Sequence, residues 1–197
     1  MFKDLLPRFG SAIAHFRRSL RSFWYRTDKG AWVFLALAGA IITVLGFALQ
    51  AVVAHRDDRR DAEREAHRQS LICLARNVYY EARGEPSAGQ YAVAEVTMNR
   101  KASRRFPRTV CDVVYQKNWD PIRRRYVGAF SWTEFSTLPE PGGESWERAR
   151  TVAEAVYYRR HAPALQGALF FHATYIRPDW AKDKKPVARI GRHIFYR

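Results

Sequence analysis

The chain has 197 residues, of which 47% are hydrophobic and 14% aromatic, enough for one modest globular domain with additional segments. Its formal net charge of +15 favours an anionic partner: nucleic acid, membrane headgroups or an acidic polymer. Only two cysteines are present, with no CxxC pair and no Cys/His cluster, so the spacing excludes a structural zinc site. Neither a metal nor another cofactor is expected.

A basic segment at residues 1–30 precedes an uninterrupted apolar run at residues 31–54, which contains no charged side chain. The hydrocarbon core of a bilayer requires about 20 apolar residues in a helix, so residues 31–54 are predicted to be a transmembrane helix. A cleaved signal peptide would have a shorter apolar region, of about 7–15 residues, behind a short basic one. The long basic segment and the full-length apolar run therefore favour an uncleaved anchor.

Lysine and arginine are more numerous before this apolar run than directly after it, although both flanks carry some. The bias predicts a single-pass protein of the inner membrane, with a cytoplasmic N-terminus and residues 55–197 in the periplasm. Residues 55–69 are highly charged and lack glycine and proline, which favours a helical stalk. The stalk leads into a domain at residues 70–197.

Within that domain, the spacing of apolar residues predicts helices over residues 71–80, 91–102 and 144–161. Thr109 is a candidate cap for a short helix that ends at Tyr115. A long irregular region is expected at residues 116–143. Residues 167–176 and 187–196 are rich in aromatic and β-branched side chains, which predicts two short extended segments joined by a loop. The predicted fold class is mainly α with a small β element (α+β).

Glu81 is predicted to lie in the last turn of the first domain helix, because Gly84 and Pro86 end the helical pattern. Apolar neighbours desolvate such a carboxylate and raise its pKa, and the negative end of the helix dipole acts in the same direction. A general acid needs this property. The alternative is a solvated residue at the helix end, paired with Arg83.

Five stretches together resemble a known family: YEARGE at 80–85, GQYAVAEVTMNR at 89–100, FPRTVCDVVYQ at 106–116, GAFSW at 128–132 and GRHIFYR at 191–197. In order and spacing they are similar to the SleB-type cell wall hydrolases, which include the spore-cortex lytic enzymes. The resemblance implies a lysozyme-like catalytic domain that cleaves peptidoglycan glycan strands as a lytic transglycosylase or a muramidase. It also implies that Glu81 is the catalytic residue.

Glycosidases ordinarily use two carboxylates, but a lytic transglycosylase can use one. The single acid protonates the glycosidic oxygen and then removes a proton from the 6-hydroxyl of the sugar, which closes a 1,6-anhydro ring. Other side chains are candidates for substrate binding, and each has a structural alternative in the core or in an ion pair. These candidates are Tyr79, Glu85, Glu95, Tyr115, Gln116, Phe130, Ser131 and Tyr157.

The two cysteines, Cys73 and Cys111, lie on neighbouring predicted helices. In an oxidising periplasm they can form a disulfide. They can equally be two small buried residues. The sequence leaves both alternatives open.

The favoured function is a membrane-anchored enzyme that cuts the MurNAc–GlcNAc bond, with peptidoglycan strands as substrate and residues 31–54 in the inner membrane. One alternative is a catalytically inactive peptidoglycan-binding scaffold on the same fold. A nucleic-acid-binding protein would also explain the positive charge, but no helix-turn-helix, RNA-recognition or zinc-finger pattern accompanies it. No nucleic acid is therefore expected, and the sequence identifies no protein partner.

Overall fold

The computed structural model describes residues 29–165 and 167–197, so most of the basic segment predicted at residues 1–30 lies outside the described residues. The helices are α1 (Lys29–Ala82), α2 (Ser87–Ala102), α3 (Val110–Val114) and α4 (Gly143–Tyr157). The strands are β1 (Lys117–Asp120), β2 (Arg125–Gly128), β3 (Phe170–Ala173), β4 (Pro186–Ile190) and β5 (His193–Tyr196). Two 3₁₀ helices, Ser131–Glu134 and Asp179–Asp183, complete the elements. The mainly helical α+β class is confirmed.

The chain divides into two compact units, Met1–Arg60 and Asp61–Arg197. In the first, the described residues are helical, and nearly all side chains of the apolar run at 31–54 are exposed. By length and composition, α1 is long and apolar enough to cross a membrane. The charged residues 55–69 are also helical and exposed, and they carry ion pairs such as Arg68–Glu65 at 2.7 Å.

In the second unit, α2 lies between two apolar clusters, which explains why nearly every residue from 89 to 97 is buried. One cluster joins the end of α1 to α3, α4 and the 3₁₀ helix at Ser131–Glu134, and Ala94 is its member on α2. The other cluster packs Ala92 and Val96 against Phe195 of β5. This helix therefore positions both the end of α1 and the sheet.

The disulfide that the sequence left open is present, between Cys73 of α1 and Cys111 of α3. It joins residues 38 positions apart. The predicted cap of α3 is also present, because the side chain of Thr109 accepts a hydrogen bond from the backbone N–H of Asp112 at 3.1 Å. Both features fix the short α3 against the end of α1.

Several sequence-based boundaries were wrong. The helix expected from residue 91 begins at Ser87, and the extended segment expected over 167–176 is a strand at Phe170–Ala173. The irregular region at residues 116–143 contains an antiparallel hairpin, β1–β2, whose turn is closed by the carboxylate of Asp120, an acceptor for the N–H groups of Ile122 and Arg123. The helix expected over 144–161 ends at Tyr157, because Arg159 adopts a left-handed conformation (φ 55°) that caps it.

The extended segment expected over 187–196 is in fact two strands, β4 and β5, which pair around a tight turn at Gly191 and Arg192. Gly191 has a positive φ of 58°, which glycine adopts without strain. With β3 on the other side of β5, the three strands form an antiparallel sheet in the order β3-β5-β4.

Candidate active site

A cleft of about 1100 Å³ opens in the unit Asp61–Arg197. One wall is the last turn of α1, which contributes Tyr80 and Glu81. The β1–β2 hairpin and the segment after it form a second wall, and strands β3 and β5 form a third. Three separate parts of the sequence therefore meet around one concave surface, which is the usual form of a site for a sizeable ligand.

Glu81 lies in the last turn of α1, where the sequence predicted it, and its side chain is only partly exposed. Among the described residues, its carboxylate accepts no hydrogen bond and forms no ion pair within 4 Å. Burial raises its pKa to about 7, while the positive charge of Arg100 acts in the opposite direction. With a pKa of about 7, a substantial fraction of this carboxyl group is protonated at neutral pH, and the group lines the cleft, so it can act as a general acid.

Arg100 on α2 is the charged neighbour of Glu81, and it was missed as a site residue. Its Nε donates to the carbonyl of Leu169 at 2.7 Å, and its guanidinium lies against the ring of Phe130 at 4.9 Å. Burial lowers its pKa to about 10, so it remains a cation. In the sequence, Arg100 stands between Asn99 and Lys101 in the last turn of α2, so no local signal distinguished it from a solvated residue at a helix end.

Glu85 has a different environment, although it follows Glu81 by only one helical turn of sequence. Its buried carboxylate accepts hydrogen bonds from the backbone N–H of Arg192 at 2.9 Å and from the Nε of Arg192 at 2.7 Å. Burial by itself raises the pKa of Glu85, but these hydrogen bonds and the nearby charges of His193 and Arg192 lower it overall. Glu85 fastens the β4–β5 turn to the end of α1 and does not line the cleft.

Glu95 also lies outside the cleft. Its carboxylate accepts hydrogen bonds from the N–H groups of Ala164 and Leu165, each at 3.0 Å, and His161 lies 3.2 Å away. Both faces of α2 are buried, so the face that meets the cleft cannot be recognised from the helical period alone.

Of the remaining predicted groove residues, Phe130 and Ser131 line the cleft. Four others do not. Tyr79 packs in the core beside Trp146, and Tyr157 contacts His67. Tyr115 is exposed and lies edge-to-face with Trp132, and the side chain of Gln116 donates a hydrogen bond to Asn118. The structure thus brings three predicted site residues together: Glu81, Phe130 and Ser131.

The cleft also contains aromatic and polar side chains suited to a saccharide, because aromatic faces contact sugar C–H groups and polar atoms bind hydroxyls. They include Trp132, Phe171, Tyr175 and His193. The Nδ1 atom of His193 is buried without a hydrogen-bond partner. Burial lowers the pKa of His193, so its ring is neutral at pH 7.

Two further carboxylates line the cleft, and both are paired. Glu134 contacts Arg125 at 2.8 Å, and Asp120 contacts Arg123 at 3.7 Å. A side-chain hydrogen bond from Arg125 lowers the pKa of Glu134, and the backbone N–H groups of Arg123 and Ile122 lower the pKa of Asp120. Each carboxyl group is therefore ionised at neutral pH. Among the described residues, no group of three His, Cys, Asp or Glu side chains is arranged to hold a metal ion.

Comparison with known protein families matches residues 84–196 to the family described as Cell Wall Hydrolase. This match begins three positions after Glu81. The spore cortex-lytic enzyme of Bacillus subtilis (strain 168) is 32% identical over 124 residues, which are 62% of this chain and 35% of that protein. The spore cortex-lytic enzyme of Halalkalibacterium halodurans is 32% identical over 122 residues, covering 62% of this chain and 33% of that protein.

Among solved structures, the catalytic domain of the germination-specific lytic transglycosylase SleB from Bacillus anthracis aligns with a TM-score of 0.50 and 28% identity. The alignment covers 65% of this chain and 93% of that domain. The chain spans about a third of the length of the curated relatives described above.

Proposed function

Because the chain belongs to the cell wall hydrolase family, we propose that it is an enzyme that cleaves the glycan strands of peptidoglycan, with Glu81 as its general acid. One observation carries this proposal: Glu81 stands in a large cleft, free of ion pairs with the described residues, with its pKa raised to about 7. The aromatic lining around it supports a saccharide substrate.

The reaction we propose is that of a lytic transglycosylase acting on the MurNAc–GlcNAc bond. Glu81 donates its proton to the glycosidic oxygen as the bond breaks. Its carboxylate then removes the proton of the 6-hydroxyl, whose oxygen closes onto the anomeric carbon. The arginine pairing of Asp120 and Glu134 supports this single-acid route, because it leaves Glu81 as the protonated carboxyl group in the described cleft.

We further propose that residues 31–54 anchor the enzyme in the inner membrane, with residues 1–30 in the cytoplasm. The exposed apolar surface of this helical stretch supports an anchor. Residues 55–69 form a stalk, and residues 70–197 form the catalytic domain in the periplasm. The Cys73–Cys111 disulfide supports that compartment, because disulfides persist in oxidising environments.

The test is digestion of purified sacculi by the full chain in detergent micelles, followed by mass spectrometry of the soluble products. We expect products that end in 1,6-anhydro-MurNAc, which lack one water relative to reducing ends. Reducing ends would contradict the transglycosylase route and indicate hydrolysis by water. Binding to sacculi without soluble products would contradict the enzymatic proposal and support a scaffold.

A further inference from the structure

Three cationic side chains gather around one aromatic ring on the wall of the cleft. Measured from the centroid of the Phe170 ring, the Nζ of Lys184 lies at 4.0 Å, and the Cζ atoms of Arg105 and Arg100 lie at 5.8 Å and 6.0 Å. All four residues line the cleft. Among the described residues, none of the three cations has a carboxylate within 4 Å. Three positive charges around one ring, with no carboxylate beside them, favour binding of an anion.

These cations come from separate parts of the fold. Arg100 lies on α2, Arg105 follows that helix, and Lys184 caps the 3₁₀ helix Asp179–Asp183. The cluster therefore depends on tertiary structure and does not arise from a charged run on one exposed surface. Elsewhere in the cleft, Arg123 has the carboxylate of Asp120 beside it.

Arg100 is the buried member of the cluster, with 7% of its surface exposed. The Phe106 and Phe130 rings hold its guanidinium at 5.4 Å and 4.9 Å, and its Nε donates to the carbonyl of Leu169. No described residue accepts a hydrogen bond from its two terminal nitrogens. Because Arg100 lines the cleft, its terminal nitrogens are open to a ligand there, and a planar oxyanion can accept from both nitrogens at once.

We propose that Arg100, Arg105 and Lys184 form a subsite that binds a carboxylate of the peptide stem carried by the glycan strand. This inference rests on the proposed function and specifies the substrate further: strands whose stems carry free carboxylates. The stem is joined to the sugar through an amide, so the free carboxylates farther along it are the charged groups available to the cluster. The positive charge of Arg100 lowers the pKa of Glu81. An anion bound beside Arg100 would weaken this lowering, so a larger fraction of Glu81 would be protonated.

The test compares two preparations of soluble, uncrosslinked peptidoglycan strands. In one, the stem carboxylates are intact; in the other, carbodiimide coupling with ammonia has converted them to neutral amides. With the full chain in detergent micelles, we expect kcat/KM to be about fivefold lower on the amidated strands, as for loss of a charge-assisted contact. Arg100 is left unchanged in every variant, because it is buried.

The double variant Arg105→Gln/Lys184→Gln should show a lower kcat/KM on intact strands. Its further decrease on amidated strands should be smaller than that of the wild type, because Arg100 remains. The matched control is Lys185→Gln/Arg189→Gln, which removes the same charge from exposed positions outside the cleft. It should respond to amidation as the wild type does. Thermal unfolding checks that all variants are folded.

Equal cleavage of both preparations by the wild type would overturn the subsite and leave the proposed function standing. A double variant as sensitive to amidation as the wild type would also overturn it. So would loss of sensitivity in the control, because general charge attraction would then explain the effect. Failure to cleave either preparation would overturn the proposed function, and the subsite with it.

Discussion

Glu81 and Glu85 lie one helical turn apart in the sequence and have opposite surroundings. The first ends α1, faces the cleft and has no hydrogen-bond partner among the described residues, and burial raises its pKa to about 7. The second is turned away from the cleft, and Arg192 lowers its pKa through two hydrogen bonds. One short motif thus supplies both the proposed acid, Glu81, and Glu85, which binds the β4–β5 turn.

The difference shows that burial alone does not create an acid. Both carboxylates are largely withdrawn from water, but only Glu81, which has no donors, has a raised pKa and is partly protonated at neutral pH. Gly191 leaves room for the carboxylate of Glu85, because a Cβ atom at position 191 would clash with the Oε2 of Glu85. The turn needs glycine both for its positive φ and for the space that Glu85 occupies.

The largest expected effect follows from Glu81→Gln. Without the proton donor, release of soluble products from sacculi should fall by about a thousandfold or more. The variant should remain folded. Because its pKa is raised, Glu81 contributes to the free energy of unfolding below pH 4.5, and this contribution is lost as the pH rises through about 7. Glutamine does not ionise, so the variant does not lose stability in this pH range. Glu154→Gln, at an exposed site on α4, is the control. Full activity of Glu81→Gln would refute the assignment.

Gly191→Ala should disrupt the hydrogen bonds between Arg192 and Glu85 without changing Glu81. The left-handed backbone and the clash with Glu85 together should lower the free energy of unfolding by about 3 kcal/mol. Thermal unfolding of the full chain measures this. Gly142→Ala is the matched control, since Gly142 has extended backbone and nothing within 4 Å of an added Cβ. Equal unfolding temperatures for the two variants would show that the close packing at Gly191 is unimportant.

Glu85→Gln should lower the free energy of unfolding by about 2 kcal/mol, because a hydrogen bond to a charged group is weakened in a buried place. Activity per folded molecule should stay within a few-fold of the wild type. The control Glu147→Gln breaks only a surface pair with Arg150 and should leave the unfolding temperature unchanged. Loss of activity in a folded Glu85→Gln protein would place Glu85 in the reaction, contrary to the roles assigned above.

A further prediction concerns pH. Glu81 must be protonated to act as the acid, so kcat/KM should be constant below about pH 7 and fall about tenfold per pH unit well above it. Initial rates on soluble strands between pH 5 and 9 measure the profile. A rate that keeps rising to pH 9 would indicate that the ionised carboxylate is the active form.

The sequence was sufficient to place Glu81, because the apolar period ends there and glycine and proline follow. The fold class was predicted for the same reason, from periodicity. The lysozyme-like architecture implied by the family resemblance remains a prediction.

Other features depend on tertiary contacts that no local pattern contains. The hairpin β1–β2 was missed because Trp119 and Tyr126 are both exposed, so its strands show no buried and exposed alternation. Glu95 was grouped with the groove residues because α2 is buried on both faces and its period does not identify the cleft side. The position of Arg100 beside Glu81 likewise depends on how α1 packs against α2.

The most direct test of the central claim is a carbon-13 NMR titration of the glutamate side-chain carboxyl groups in the full chain, with Glu81→Gln and Glu85→Gln used to assign the two signals. The account predicts that Glu81 titrates near pH 7 and Glu85 below 4.5, the ordinary value of a glutamate. If Glu81 instead titrated at or below 4.5, it would be ionised at neutral pH, and the proposed acid would have no proton to donate.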